Sequence, residues 1–353
     1  MEIYVWKLNG DFFEAKAVID FAQSVIWVTR YTAAGEFELY LPATPELVAL
    51  FEGETLLSRT DTYTAMLAER AEVQTDPEKG DHLIVSGRSA ESLIGRRIVS
   101  RQKTFGREPA NYIMNGLVND EVVSLSVPAR AIPCIRLAGG SPAPLGLING
   151  MQVTGKNVLE KLTEIGVQQN IGFRLAWQKT RAGYFDFETY RGQDRSRQVI
   201  FSPDFENLGA TNYSEDSTEH CTCAYVAGQG QGVDRVIVMT DDGTTGIARR
   251  EVWVDARNTS SQTDSGTMTD EEYREILSQQ GAETLAAGKV EVHFNGEILD
   301  TNGYVYGVDY GLGDIVTVCT GYGLTTTARV TEITEVEDED GYKLIPTLSE
   351  MEV

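Results

Sequence analysis

Glu52-Gly53-Glu54-Thr55-Leu56-Leu57 near the start of the chain and Leu312-Gly313-Asp314-Ile315-Val316-Thr317 near its end are variants of one phrase: a glycine beside an acid, then a short apolar run. Each is followed by a polar stretch and an alternating strand, Ala68-Glu69-Arg70-Ala71-Glu72-Val73 against Ala328-Arg329-Val330-Thr331-Glu332-Ile333. Each then passes through an acidic turn into a terminal strand, Lys79-Gly80-Asp81-His82-Leu83-Ile84 against Asp340-Gly341-Tyr342-Lys343-Leu344-Ile345. Gly53 to Gly80 is 27 residues and Gly313 to Gly341 is 28. A unit repeated at matched spacing is the mark of a duplicated module. Acidic hairpins share this texture, so strand order at the two ends decides between duplication and coincidence. If duplicated, the ends are two related small β-barrels.

Working outward, the first hundred residues read mainly as strands. Ser24–Tyr31 is rich in β-branched and aromatic side chains, and Phe37, Leu39 and Leu41 alternate with Glu36, Glu38 and Tyr40. That period of two marks a half-buried strand. Thr44 and Pro45 predict the cap and first position of a short helix that stops before Gly53. Short strands at turn-punctuated spacing predict a small barrel or sandwich. From Gly87 a strand runs into a helix, and a second helix is predicted over 109–118. The stripe Val158, Leu159, Leu162 and Ile165 predicts a helix over 154–166 with Gly166 just past its end. Two alternating strands follow, Ile171, Phe173, Leu175 and Trp177 on one face of the first, Phe185 and Phe187 on one face of the second. Strands return at 219–226, 233–240 and 247–256, and a polar loop spans 258–268. Thr269-Asp270-Glu271-Glu272 predicts a capping box opening a helix to about Ala287. Strands close the chain over 314–320, 327–335 and 342–348.

The expected fold class is therefore α+β, mainly β, with two small barrel domains and α/β material between and inside them. The expected divisions are 1–98 for the first barrel, 99–200 for an α/β module, 201–257 with 288–353 for the second barrel, and 258–287 for an inserted loop and helix.

Composition narrows the function. The 353 residues carry 53 acidic against 30 basic side chains, a formal charge of −23. Duplex binding rests on lysine and arginine at phosphates, so specific nucleic-acid binding is not expected, nor docking on anionic membranes. No apolar run approaches the roughly 20 residues that span a bilayer. The first residues lack a signal-peptide pattern, and four scattered cysteines (Cys134, Cys221, Cys223, Cys319) make no disulfide framework, so synthesis in a reducing cytoplasm is expected.

Chemistry-bearing motifs are sparse. His82, His220 and His293 are the only histidines; each falls in a predicted strand with no nucleophile beside it, and each reads as structural. In His220-Cys221-Thr222-Cys223, strand alternation puts the cysteines on one face and His220 on the other, so no metal shell closes. Gly228-Gln229-Gly230-Gln231-Gly232 precedes a strand pattern, which offers no helix N-terminus to a phosphate and reads as a hairpin loop. Asp186 with Glu188, and Asp204 with Glu206, have the spacing of paired carboxylates that glycoside hydrolysis uses; solvated strand faces produce the same pairs. Arg96, Arg97, Arg101, Lys103 and Arg107 form a basic cluster, whose preferred use is docking on an acidic surface of the same or a neighbouring chain, a solvated helix face being the alternative. No catalytic, cofactor-binding or metal-binding residue is assigned, and no cofactor is expected.

Three ordered segments carry a resemblance. They are Val85-Ser86-Gly87-Arg88-Ser89-Ala90-Glu91-Ser92-Leu93-Ile94-Gly95-Arg96-Arg97-Ile98-Val99; Tyr190-Arg191-Gly192-Gln193-Asp194-Arg195 with Val199-Ile200-Phe201-Ser202 and Asn207-Leu208; and Gly307-Val308-Asp309-Tyr310-Gly311-Leu312-Gly313-Asp314-Ile315-Val316-Thr317-Val318 with Ala328-Arg329-Val330-Thr331-Glu332. In this order the chain resembles the siphovirus tail proteins that form the baseplate hub, also called tail-associated proteins, similar to the hub of contractile phage baseplates and of Mu-like prophages. The resemblance implies a homotrimeric ring with two tube-type barrels per chain, hence six similar modules facing a sixfold tail tube. It implies a non-enzymatic virion protein at the tail tip, made in the bacterial host cytoplasm. Its partners would be the tail tube or distal tail protein on one side and tip, fibre or receptor-binding proteins on the other. The acidic balance would then keep the DNA path from holding phosphates. The competing readings are a phage-encoded glycoside hydrolase and a carbohydrate-binding receptor module.

Overall fold

The computed structural model describes residues 1–76, 80–124, 127–140, 142–263, 266–298, 303–319 and 325–350. The first part contains a hairpin of β1 (Ile3–Asn9) and β2 (Phe12–Ile19), then β3 (Ser24–Arg30), β4 (Glu36–Pro42), α1 (Pro45–Leu50), β5 (Thr55–Ser58), β6 (Ala65–Asp76) and β7 (Gly80–Ser89). The alternation read in β4 holds, with Phe37, Leu39 and Leu41 buried. Thr44 caps α1 by accepting the Leu47 N–H at 3.2 Å, with Pro45 in the first turn, where its missing donor costs nothing. Of the acidic turn expected between β6 and β7, Pro77, Glu78 and Lys79 lie outside the described residues.

The middle part runs through β8 (Lys103–Phe105), α2 (Ala110–Val118), β9 (Ile135–Leu137), β10 (Met151–Val153), α3 (Val158–Gln169), β11 (Gly172–Trp177) and β12 (Phe185–Tyr190). β11 and β12 form the expected hairpin, and β9 adds to β12 in parallel. The boundaries of α3 differ from the reading above. Asn157 caps it, accepting the N–H groups of Leu159 and Glu160, and Asn170 ends it in the left-handed region at φ 51°. Gly166 lies inside the helix, where a Cβ would stand 2.8 Å from the Ile171 carbonyl oxygen. That glycine permits a close approach and does not stop the helix. The apolar stripe Val158, Leu162 and Ile165 joins Phe173, Leu175, Phe185 and Phe187 in one core with Leu56 and Leu67 of β5 and β6. Fully burying side chains of this size stabilises by about 1.5–3 kcal/mol each, which ties the module to the first sheet.

The last part holds β13 (Ile200–Phe201), β14 (Leu208–Asp216), β15 (Cys223–Ala227), β16 (Ile237–Asp241), β17 (Glu251–Asp255), β18 (Gln262–Thr263), β19 (Gly266–Thr267), α4 (Asp270–Ala287), β20 (Glu291–Ile298), β21 (Ile315–Cys319), β22 (Thr325–Asp338) and β23 (Gly341–Glu350). The capping box at Thr269 and Glu272 is present in full. The strands expected over 219–256 do not join a second barrel. β16, β15 and β17 make a separate three-stranded sheet, because α4 covers one face with Tyr273 and Leu277 against Ala224 and Val226.

The two closed barrels expected at the ends are not found among the described residues. One large sheet runs β14-β20-β23-β22-β3-β4-β7-β6-β5-β1-β2, with β21 on β22 and β13 on β21. The sheet continues through both ends because β3 pairs across to β22, from Glu332 opposite Arg30 to Glu337 opposite Val25. Strand order still repeats: β5-β6-β7-β4-β3 in the first half corresponds to β21-β22-β23-β20-β14 in the second. Both long strands are bulged at matching places, between Ala68 and Arg70 in β6 and between Val330 and Glu332 in β22. The paired glycines of the sequence repeat also match in backbone conformation, with φ of 72° at Gly53, 88° at Gly80, 92° at Gly313 and 110° at Gly341. Only glycine holds such angles without strain, so the repeat is written where the chain must turn.

Candidate assembly site

The segments that carried the resemblance are far apart in sequence and meet beside the β3–β22 seam. Gln193 donates its backbone N–H to Asp314 Oδ1 at 2.6 Å, and Arg195 Nε donates to Oδ2 at 3.1 Å. Ile315 N–H reaches the Gln193 carbonyl at 2.9 Å, and Arg195 N–H the Ile315 carbonyl at 2.8 Å. Buried Tyr31, at the end of β3, is where both halves and the module touch. Its hydroxyl donates to the Asn170 carbonyl at 3.0 Å, and the Arg329 guanidinium lies 5.7 Å over its ring. A Cβ on Gly172 or on Gly313 would fall 2.2 or 2.3 Å from the Tyr31 ring, so glycine is required at both contacts.

Ion pairs close the seam. Arg30 Nε donates to Glu332 at 2.6 Å, and the N-terminal ammonium contacts Glu337. Deeper in, Arg59 donates to Glu335 at 2.8 Å while stacking 5.5 Å over Trp27, and Tyr342 adds a hydrogen bond to Glu335 at 2.7 Å. Arg59 and Glu335 are both buried, so neither charge tolerates loss of the other.

A cleft with lobes of about 490 and 530 Å³ opens along the seam; Thr29, Asp61, Thr62, Tyr306 and Tyr310 border both lobes. Burial pushes the Tyr306 hydroxyl up to about 12. The acids here are bound to cations: Asp61 and Glu335 to Arg59, Asp314 to Arg195. Glu91 is the exception and was not singled out in the sequence. Its buried Oε1 accepts the Leu175 N–H at 2.8 Å, and burial pushes its carboxyl up. The only sequence signal for it was its place just after the Gly-Arg-Ser strand end.

The residues singled out above stand as follows. His82 stacks on Tyr40 with ring centroids 4.6 Å apart; His220 lies in a turn, not a strand, its Nδ1 3.1 Å from the Gly288 carbonyl; His293 lies on β20, its side chain outside the described residues. Cys221 precedes β15 and faces the Thr284 carbonyl, whereas Cys223 is buried 2.9 Å from Arg249 Nη2, so the two do not share a strand face. Cys134 is buried, which lifts its thiol to about 11; Cys319 accepts from the Thr325 hydroxyl at 3.5 Å. Among the described residues, no group of His, Cys, Asp and Glu could hold a metal ion.

The glycines 228–232 form the hairpin loop between β15 and β16, and the Gln229 N–H is taken by the Tyr273 hydroxyl at 2.9 Å. Asp186 and Glu188 sit side by side on β12, and burial works against their charge. Arg136 and Thr180 outweigh it at Asp186, and Lys179 with Arg174 at Glu188, so both carboxyls stay below the usual range. A general acid needs the opposite shift. Asp204 and Glu206 lie on a 3-10 turn and just after it, with Glu206 left-handed, and so share no strand face. In the basic cluster, Arg96 makes a two-pronged pair with Glu54 at 2.9 and 3.0 Å, and Lys103 meets Asp120 at 2.7 Å. Arg97 donates to the Arg130 carbonyl at 2.6 Å, while Arg101 and Arg107 are exposed. The cluster thus meets acids of its own chain at two of its five members. Among the described residues, no helix is long and apolar enough to cross a membrane.

The sequence matches the family described as Siphovirus ReqiPepy6 Gp37-like protein over residues 2–348. No curated protein sequence matches it. In fold it is similar to the tail protein from Neisseria meningitidis MC58, at 13% identity and a TM-score of 0.57 over 99% of this chain and 96% of that one. The 43 kDa tail protein of prophage MuSo2 from Shewanella oneidensis gives 13% identity and 0.55 over 99% and 97%. Prophage tail protein gp18 from Listeria monocytogenes EGD-e gives 8% and 0.55 over 98% and 94%.

Proposed function

Because the chain belongs to the Siphovirus ReqiPepy6 Gp37-like family of siphovirus tail proteins, we propose that it is the hub of a phage tail tip: three copies in a ring that joins the tail tube or distal tail protein to tip and fibre proteins and lets DNA pass. The observation that carries this reading is the repeated strand order, joined within one chain by β3 and β22. Two equivalent sheet modules per chain make six in a trimer, the number that matches a sixfold tube. The hub acts by assembly and not by catalysis, a reading supported by the depressed carboxyls of Asp186 and Glu188 and by the ion-paired acids of the cleft. The charge of −23 suits a path along which phosphates must slide. The working divisions are the end modules 1–98 and 201–353, the α/β module 99–200, and an insertion in the second end module that holds β15–β17 with α4.

Gold-labelled antibody to the chain, applied to intact tails, should mark the distal tip. The mass of the complex released from tails should correspond to three copies. Label along the tube or at the head-proximal end would overturn the proposal.

A further inference from the structure

The internal seam leaves two complementary strand edges uncovered. β22 is paired on both sides, by β23 and by β3. Among the described residues, its counterpart β6 is paired along its whole length by β7, but on the other side only over Ala65–Ala68, by β5. The counterpart of β3 is β14, the end strand of the sheet, and among the described residues no strand lies on its outer edge. Arg70, Ala71, Val73, Gln74 and Thr75 are exposed, as are residues 212–216, whereas Val25, Trp27, Ile333 and Glu335 at the matching seam positions are buried. Uncovered edges of this kind invite another strand.

We propose that β14 of one copy pairs with residues 70–75 of β6 in the next copy, repeating the β3–β22 seam between molecules. The proposal rests on the ring reading and names its contact. The register follows from the ladders. Arg70 and Glu332 are the first residues past the two bulges, opposite Ser86 and Thr347. Across the neighbouring strands, Ser86 leads through Glu38 to Ile26, and Thr347 through Asn295 to Asn212. Asn212 therefore stands where Ile26 does, Tyr213 where Trp27 does, and Asp216 where Arg30 does.

Carrying the seam pairing over puts Arg70 opposite Asp216, Val73 opposite Tyr213 and Gln74 opposite Asn212. Val73 and Tyr213, 47% and 45% exposed in the single chain, then cover each other. The ion pair Arg30–Glu332 returns with its charges exchanged between the strands. Directly opposed side chains of these kinds favour the pairing. The exchange also rejects wrong partners, since β3 against β6 would oppose Arg30 to Arg70, and β14 against β22 would oppose Asp216 to Glu332. A join between unlike edges closes into a ring when its rotation allows.

The test uses the full chain with Gln74→Cys and Asn212→Cys combined, oxidised at concentrations up to about millimolar, where weak contacts populate. A covalent trimer on a non-reducing gel is expected, whereas either single variant, with one added exposed thiol per copy, should give nothing larger than a dimer. In solution, Asp216→Arg should raise the assembly midpoint roughly tenfold or more by facing Arg70, and adding Arg70→Asp should bring it back. The positions are exposed, so circular dichroism should not move; because Asp216 Oδ1 accepts the Thr218 N–H at 2.8 Å, Asp216→Asn, which keeps that bond, is the melting control for Asp216→Arg. A trimer that forms without the 74–212 cross-link overturns this junction and leaves the ring standing. A chain that stays single and uncross-linked throughout overturns both.

Discussion

β22 and β6 are the same strand of a duplicated sheet, yet one is enclosed and the other is open. Against β22 lie Trp27, Arg59 and Arg30, and the acids Glu332, Glu335 and Glu337 are each held by a cation. Among the described residues no strand but β7 is paired with the same stretch of β6, and Arg70, Ala71, Val73, Gln74 and Thr75 are exposed. The backbone ladders are equivalent, so the difference is written in side chains. Where the chain supplies the partner, large apolar groups and charges are buried at the seam; where it does not, Val73 and Tyr213 stand exposed among polar and charged residues such as Arg70, Gln74 and Asp216. The contrast teaches that duplication conserved connectivity while the two edges diverged toward different states of cover.

The strongest way to break the contrast is to empty the aromatic position on β3 and on its counterpart β14. Trp27→Ala, at a fully buried site, should cost about 3–5 kcal/mol in chemical denaturation. Tyr213→Ala, at the equivalent exposed site, should stay within about 0.5 kcal/mol in the single chain. Equal losses would mean that the edges are covered alike. Next in size, Arg59→Ala leaves Glu335 buried without its cation and should cost about 3 kcal/mol. Replacing Arg59 by Met and Glu335 by Leu together should recover most of that stability; no recovery would show that Arg59 acts through Trp27 alone.

What the sequence disclosed follows the same line. Phe37, Leu39 and Leu41 told which face is buried, and Gly53, Gly80, Gly313 and Gly341 told where the chain turns, because both are local properties of a strand or a φ angle. The partner of a strand edge is not local. Nothing in Ser24–Arg30 says whether its second edge meets its own half or β22, so the closed barrels were expected and an open sheet was found. Gly166 was misread for a related reason: its role is set by the Ile171 carbonyl, a contact outside the helix pattern. At the cleft, the sequence supplied Gln193, Arg195 and Asp314 as an ordered family pattern without showing that they touch. Glu91 was invisible because its burial comes from the module packed over it.

The paired glycines sharpen the comparison further. Gly313→Ala combines a φ of 92° with a Cβ 2.3 Å from the Tyr31 ring, so about 3 kcal/mol is expected. Gly53→Ala at φ 72° meets nothing within 4 Å and should cost only about 1 kcal/mol, from backbone strain. Similar losses at the two sites would deny the Tyr31 contact its role in locking the halves together.

The smallest effect should come from Glu91→Gln, and it should depend on pH. Glutamine keeps an oxygen for the Leu175 N–H and removes the charge that burial disfavours, at the cost of one of the two oxygens that serve the Leu175 N–H and the Ser89 hydroxyl, so the pH slope is the readout. With the folded carboxyl raised above its ordinary value of 4.5, the folded chain holds a proton that the unfolded chain has already released. Stability of the parent must therefore fall as pH climbs from that value toward the raised one, and the fall is complete beyond it. The variant has no such group and should trace a flatter curve. Tyr213→Ala, on the open edge, should leave the slope unchanged. Parallel curves for Glu91→Gln and its parent would mean that the carboxyl is solvated, and that the module does not seal this end of the first sheet.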